Sequence, residues 1–342
     1  MESTLKVRQS NMEFLRIIAM FMVMMLHVNN AALGLPSVED ARLNGLPTFF
    51  RIIFETLSIG SVNIFVLISG WFGIKNSWKS LSSFIFQCVF ITWGISIVLI
   101  CLRLVPLTFS KIDAILFVRS WFIQAYLGLY LLAPALNCLI KQSKRNHLQL
   151  LIGLFLLEFI YDFCAPSMPI FQSGYSTMHF ILLYLLARYI KLYKSKDKII
   201  SFVKKWSFTL FLFSIIVLSI FQFLALTNGI TFVFRLNVYS SPVIIFTSLC
   251  LLLTFSKLKF QNSIINSVAA SSFAVYLVHT NPFILSKYFI KEATTIYNNF
   301  GGFKYLICIG TYMILWYALA FLIDLIRRFV QNKAMLKISK NR

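Results

Sequence analysis

The sequence predicts an all-α, polytopic integral membrane protein: a single domain over residues 1–342, about ten transmembrane helices, and both termini in the cytoplasm. Three observations carry this. First, 59% of the 342 residues are hydrophobic, the mean hydropathy is +0.80, and only 13% are charged. That is about half the charged fraction of a soluble protein, and a soluble domain of this size has no interior large enough for so much apolar surface. Second, the apolar residues fall into runs of bilayer length. Third, Lys and Arg collect in alternate connections between those runs.

The runs lie at 12–33, 51–74, 81–104, 118–140, 147–165, 176–193, 205–226, 239–256, 265–286 and 305–328. The first is too long for a signal-peptide core and no small-residue cleavage pattern follows it, so it reads as a retained span. With the N-terminus inside, the inward connections hold Lys6, Arg8, Lys75, Lys79, Lys141, Lys144 and Arg145. They also hold the seven basic residues from Arg188 to Lys205, Lys257 and Lys259, and the six from Arg327 to Arg342. The outward side holds Arg42, Arg51, Arg103, Lys111, Arg119, Arg235, Lys287, Lys291 and Lys304. The net charge of +21 is therefore mostly topology, with attraction to anionic membrane lipids as its consequence; no nucleic-acid partner is expected. The six cysteines stand singly, mostly in apolar runs, without CxxC or Cys/His spacing, so neither a disulfide framework nor a metal site is expected.

The first span contains "NMEFLRIIAMFMVMMLHVNN", with Arg16 and His27 where each ionisable group costs a few kcal/mol. Eleven residues turn an α-helix through about 1100°, some 20° beyond three turns, so both side chains leave one face, roughly 16 Å apart along the axis. Arg16 sits near the inner boundary and His27 in the outer half. A boundary arginine can also snorkel to lipid phosphates, and Glu13, three residues earlier, is placed to pair with it. His279 in the ninth span falls about 6 Å outward of its middle, and His27 about 7 Å outward of its own.

Five segments in order carry a family resemblance. They are "EFLRIIAMFMVMMLH" with Glu13, Arg16 and His27, and "SVNIFVLISGWFGIK" with Phe65, Ser69 and Gly70. "WFIQAYLGLYLLAPALN" with Trp121, Tyr126, Tyr130 and Pro134 follows, then "YSSPVII", then "SSFAVYLVHTNPF" with His279. Over most of its length the chain resembles the membrane-bound acyltransferase-3 family, which includes bacterial polysaccharide and lipopolysaccharide O-acetyltransferases. One departure is the stretch after the second span. Many members have an Arg-x-Arg pair there, proposed to meet the acyl donor, whereas "KNSWKSL" offers Lys75 and Lys79, point charges without the planar guanidinium fork.

The resemblance implies an O-acetyltransferase of the cell (inner) membrane that uses acetyl-CoA as donor and a cell-surface glycan or lipid-linked sugar precursor as acceptor. Arg16, Lys75 and Lys79 are then expected near the CoA phosphates. His27 is expected to take the proton of the attacking hydroxyl or to carry the acetyl group itself. Asn63, Ser69 and His279 are candidate donors to the developing oxyanion. Ser69-Gly70 also suits close helix packing, and His279 suits a structural or substrate-positioning role better than direct catalysis. Glu55 is a minor candidate for an acceptor path. Glu158, Asp162 and Asp324 read as helix-pairing groups, and His147 and His179, at span ends, as hydrated. The rival class is a transporter or flippase, disfavoured because no internal repeat is visible; a glycan polymerase or ligase is disfavoured by short outward loops.

Overall fold

The computed structural model describes residues 8–106, 112–113, 120–165, 170–193 and 197–340, with side chains described to residue 333. Lys6, Lys111, Arg119, Lys194, Lys196 and the basic residues beyond Lys333, all counted in the charge pattern, lie outside that description. The described residues form helices joined by turns and loops, with no strand among them: an all-α polytopic membrane protein. Among the described residues, eight helical stretches are long and apolar enough to cross a bilayer: Ser10–Ala32, Gly45–Phe72, Trp78–Cys101, Trp121–Gln142, Lys144–Cys164, Ser207–Thr227, Thr231–Phe255 and Gly302–Lys333. They match eight of the ten predicted runs. The predicted sixth span is a helix of 17 residues, Thr177–Tyr193, and the predicted ninth is a shorter apolar stretch, Ser263–His279, broken between its two helices.

The chain divides into two compact units. The first comprises residues 1–30, 34–76 and 120–263. Its helices are α1 (Ser10–Leu26), α2 (Val38–Leu43), α3 (Gly45–Ser58) and α4 (Ser61–Phe72). The second unit supplies α5 (Trp78–Cys101), after which the first unit continues with α6 (Trp121–Gln142), α7 (Lys144–Glu158) and α8 (Thr177–Tyr193). Next come α9 (Lys198–Lys205), α10 (Ser207–Thr227) and α11 (Pro242–Phe255). The second unit also holds α12 (Ser263–Ala269), α13 (Ser272–His279), α14 (Lys291–Asn299) and α15 (Gly302–Lys340).

In the first unit, α8 is the core helix. It is apolar on nearly every side, and Phe180, Leu183, Tyr184, Leu185 and Ala187 are buried around its circumference, as expected for a helix surrounded by others. Gly70 of α4 lets the two backbones meet. A Cβ at Gly70 would stand 2.6 Å from the Tyr184 carbonyl oxygen and 2.8 Å from Ala187 Cβ. Gly70→Ala is therefore expected to cost about 1–3 kcal/mol through overpacking, read as a lower thermal unfolding temperature in detergent. Gly94 in α5 is the control: its Cβ would meet nothing within 4 Å, so Gly94→Ala is expected to be neutral, or stabilising by up to about 1 kcal/mol.

Polar side chains stitch helix ends together as alternating spans require. The Ser10 hydroxyl bonds Gln261 Oε1 at 3.1 Å, and Asn11 Nδ2 donates to the Phe255 carbonyl at 2.9 Å. The start of α1 thereby lies beside the end of α11. Asn137 Nδ2 of α6 donates to the Ile74 carbonyl just past α4.

In the second unit, Asp324 of α15 is fully buried. It accepts from Arg327 Nε at 2.8 Å, Arg328 Nε at 2.7 Å, Ser271 Oγ at 2.9 Å and Gln87 Nε2 at 3.3 Å. Ser271 stands at the break between α12 and α13, so one carboxylate ties that break to α5 and α15. This is the helix-pairing role that the sequence suggests for Asp324.

Candidate active site

Residues 10–26 contain neither Gly nor Pro, and α1 runs unbroken through them. Glu13 and Arg16, one turn apart, form the ion pair that their spacing allows: Arg16 Nη1 lies 2.9 Å from Oε1 and 3.0 Å from Oε2. The carboxylate is buried, while the Arg16 side chain is 32% exposed. At His27 the helix changes character. The His27 amide donates to both Met24 and Val23 carbonyls, and residues His27–Ala32 form a π-helical turn, a local widening that recurs at functional sites. His27 itself is half-buried.

The widened turn is hitched to α3 two residues beyond the histidine. Asn29 Nδ2 donates to Glu55 Oε2 at 2.8 Å and to the Arg51 carbonyl at 3.2 Å, and Asn30 Nδ2 reaches Glu55 Oε1 at 3.5 Å. Glu55 is 5% exposed. Both of its oxygens thus hold the segment that carries His27, which makes it an organising group for the π turn.

A second polar constellation lies in the same unit and was not legible in the sequence. His179 of α8 is fully buried; its Nδ1 lies 2.6 Å from Glu158 Oε1 and its Nε2 3.0 Å from Asn63 Oδ1. Asn63 Nδ2 in turn donates to the Tyr239 carbonyl at 2.9 Å. The direction of each bond follows from chemistry. The Asn63 amide gives its NH₂ to a carbonyl, so its oxygen faces His179 and Nε2–H is the donor. Nδ1 and Glu158 then share one proton, as imidazolium with carboxylate or imidazole with carboxylic acid, and the pair is neutral overall either way. This corrects the expectation that His179 is hydrated at a span end. His147 is corrected too: it is buried, with Nε2 2.9 Å from the Leu185 carbonyl. Glu158 does pair helices, joining α7 to α8.

Strained backbone and stacked rings adjoin this constellation. Gln172, Ser173 and Gly174 have φ of 49°, 56° and 89°, a left-handed run costing about 1–3 kcal/mol for each non-glycine residue. Asp162 Oδ1 holds it by accepting from the Ser173 amide at 2.8 Å. A Cβ at Gly174 would lie 2.5 Å from Tyr239 Cβ and 3.2 Å from His179 Cδ2, so only glycine fits beneath them. Tyr175 then packs against Trp121 and Tyr239, with ring centroids 4.5 and 4.8 Å away.

The remaining sequence candidates are dispersed. Asn63 is fully buried, with one N–H of its amide on the Tyr239 carbonyl and its oxygen on His179. Ser69 is half-buried; its hydroxyl lies 3.0 Å from the Phe65 carbonyl and 3.2 Å from Tyr126 Oη, while close packing belongs to Gly70. Lys75 in the first unit and Lys79 in the second are both exposed. Near Lys75 the structure adds a cation that the sequence marked only as topology. The Arg188 guanidinium lies against Gly73, 3.1 Å from where a Cβ would be, and its buried Nε has no hydrogen-bond partner. His279 belongs to the second unit and is fully buried. Its Nδ1 lies 2.6 Å from the Val275 carbonyl and so carries the proton, because a carbonyl only accepts.

No curated protein and no solved structure matches the chain. The model of the acyltransferase domain that defines the acyltransferase-3 family matches residues 9–323, nearly the whole chain, which therefore belongs to that family and is a membrane-spanning acyltransferase.

Proposed function

We propose that this protein transfers an acetyl group from cytoplasmic acetyl-CoA to a hydroxyl of a cell-surface glycan or its lipid-linked precursor, in the cell membrane. The observation that carries the reading is the design of the first helix in a chain of this family. A guanidinium partly neutralised by Glu13 sits three helical turns from a half-buried histidine, and that histidine opens a π turn clamped by Asn29, Asn30 and Glu55. In this reading Arg16 and Lys75 meet the phosphates of the donor. Arg188 joins them, because its orphaned Nε is a donor in want of an acceptor. The sugar hydroxyl oxygen attacks the thioester carbonyl; a C–O bond forms and the C–S bond breaks. His27 takes the hydroxyl proton, which ends on the leaving thiolate. General-base help of this kind contributes about 10²- to 10⁴-fold.

The test uses the purified protein in nanodiscs with radiolabelled acetyl-CoA and lipid-linked glycan extracted from the host membrane. Label is expected to move into the glycan fraction in step with release of free CoA thiol. An enzyme that takes up another acyl-CoA but not acetyl-CoA would overturn the choice of donor. A protein that consumes no acyl-CoA, yet passes glycan or solute across a vesicle membrane, would overturn the reading in favour of a carrier.

A further inference from the structure

Three aromatic rings meet at one end of the first unit. Trp121 opens α6, Tyr175 stands two residues before α8, and Tyr239 lies in the segment that leads into α11. By the charge pattern these three helices all run inward, so the rings gather at the outward end of the bundle. The Tyr175 ring centroid lies 4.5 Å from that of Trp121 and 4.8 Å from that of Tyr239. Trp121 and Tyr239 stack at 5.7 Å with planes 28° apart. Tyr239 is buried and Trp121 half-buried, whereas Tyr175 is 41% exposed.

The place of Tyr175 decides what its ring faces. Other helices of the unit surround α8, so the residue just above its first turn caps the middle of the bundle. Interfacial tyrosines that anchor spans stand instead at the lipid perimeter. The exposed face of Tyr175 therefore meets water. The backbone that holds it there is strained: Gln172 and Ser173 are left-handed, and Ser173 is pinned by Asp162. Gly174 follows, where a Cβ would stand 2.5 Å from Tyr239 Cβ and 2.9 Å from the Ser240 amide nitrogen. Polar groups adjoin the ring. Burial raises the Tyr175 hydroxyl above its ordinary pKa, a hydrogen bond with Tyr239 opposes this, and the charge of Glu55 adds to it. Glu55 is thus within electrostatic reach of the ring, and Asn30, beside Glu55, is exposed.

A sugar ring has the chemistry that fits. A pyranose offers a C–H face for an aromatic ring to cover and a rim of hydroxyls for carboxylate and amide groups, and tyrosine joins an apolar body to a polar handle. A quaternary ammonium would need a gap enclosed by ring faces, and centroids 4.5–5.7 Å apart leave none. A lipid tail has no reason to leave hydrocarbon for a water-facing ring. We infer that Tyr175, backed by Trp121 and Tyr239, is the platform on which a pyranose ring of the acceptor stacks, on the side where Glu55 and Asn30 hold the His27 turn. This rests on the glycan acceptor of the proposed function and gives that acceptor a place apart from the donor. Arg188, assigned to the donor, lies eleven residues along α8 from Thr177, roughly 17 Å inward at 1.5 Å per residue.

The experiment measures binding of the host's surface glycan, released from its lipid, to the full-length protein in nanodiscs by saturation-transfer difference NMR, without acetyl-CoA. Saturation is expected to pass to the ring C–H protons of the glycan. Tyr175→Leu keeps apolar bulk and loses the ring face, and is expected to raise the apparent Kd at least about fivefold. Tyr175→Phe keeps the face and is expected to stay within about twofold of the parent. Thermal unfolding of both variants is checked against the parent, since the position is partly exposed. A Kd unchanged in Tyr175→Leu, an equal rise in Tyr175→Phe, or no glycan binding by the parent would overturn the platform. Any of these beside normal acetyl transfer to lipid-linked glycan would leave the proposed function standing. Ring-dependent glycan binding without acetyl transfer would leave the platform standing and overturn the reaction.

Discussion

His27→Ala is expected to slow acetyl transfer by about 10²- to 10⁴-fold with little change in thermal unfolding, since the side chain is half-buried and the π turn is held by Asn29, Asn30 and Glu55 instead. The loss should fall on kcat, because proton removal belongs to the transition state. An unchanged kcat would remove His27 from the chemistry while leaving the family intact. Acetyl label trapped on His27 by rapid acid quench would show that the histidine carries the group. Arg16 needs a different design. Arg16→Ala strips the buried Glu13 of its partner, so its effect mixes donor binding with stability. Arg16→Lys keeps the charge and loses the planar fork; it is expected to raise KM for acetyl-CoA more than it lowers kcat. A fall in kcat alone, with KM unchanged, would argue against a phosphate contact.

Glu158→Ala is expected to destabilise the first unit by about 1–3 kcal/mol, the cost of leaving a buried polar group without its partner. It leaves His179 buried with Nδ1 facing no partner, while Nε2–H remains committed to Asn63. Glu158→Gln should cost less, because its amide NH₂ can donate to Nδ1 of neutral imidazole. A cycle with His179→Ala and the double variant should give a coupling of roughly 0.5–3 kcal/mol, measured by denaturant or thermal unfolding in detergent. Additive effects would mean that the short contact contributes nothing of its own. The consequence reaches further than α7 and α8. Through Asn63 the pair fixes the backbone at Tyr239, and Tyr239 packs on Gly174 and Tyr175, so loss of Glu158 is expected to loosen the left-handed segment at 172–174. Faster amide exchange there, with exchange in α15 unchanged, would be its signature.

How much of this was legible in the sequence depends on the range of the interaction. Membrane insertion is a property summed along a run, so the length and hydropathy of residues such as 81–104 and 205–226 located helices that the fold places at Trp78–Cys101 and Ser207–Thr227. The Glu13–Arg16 pair was legible for the same reason: a spacing of three on one helix brings the two side chains together whatever surrounds them. Asp324, flanked by Arg327 and Arg328, was similarly exposed to local reading.

The π turn at His27 was not, since residues 27–32 contain no Gly or Pro and the turn is anchored by a carboxylate 26 residues away on α3. Nor was the bond from His179 to Asn63, across 116 residues of chain. By sequence, His179 stood at the end of an apolar run and was expected to meet water. Burial there is decided by which helices close over it, and that follows from the approach of α4 to α8 at Gly70 and from the fit of Tyr239 over Gly174. Helix positions and local pairs came from the sequence alone, because their energies add residue by residue; the buried polar chain came only from the tertiary structure, because its partners exist only once distant helices have packed.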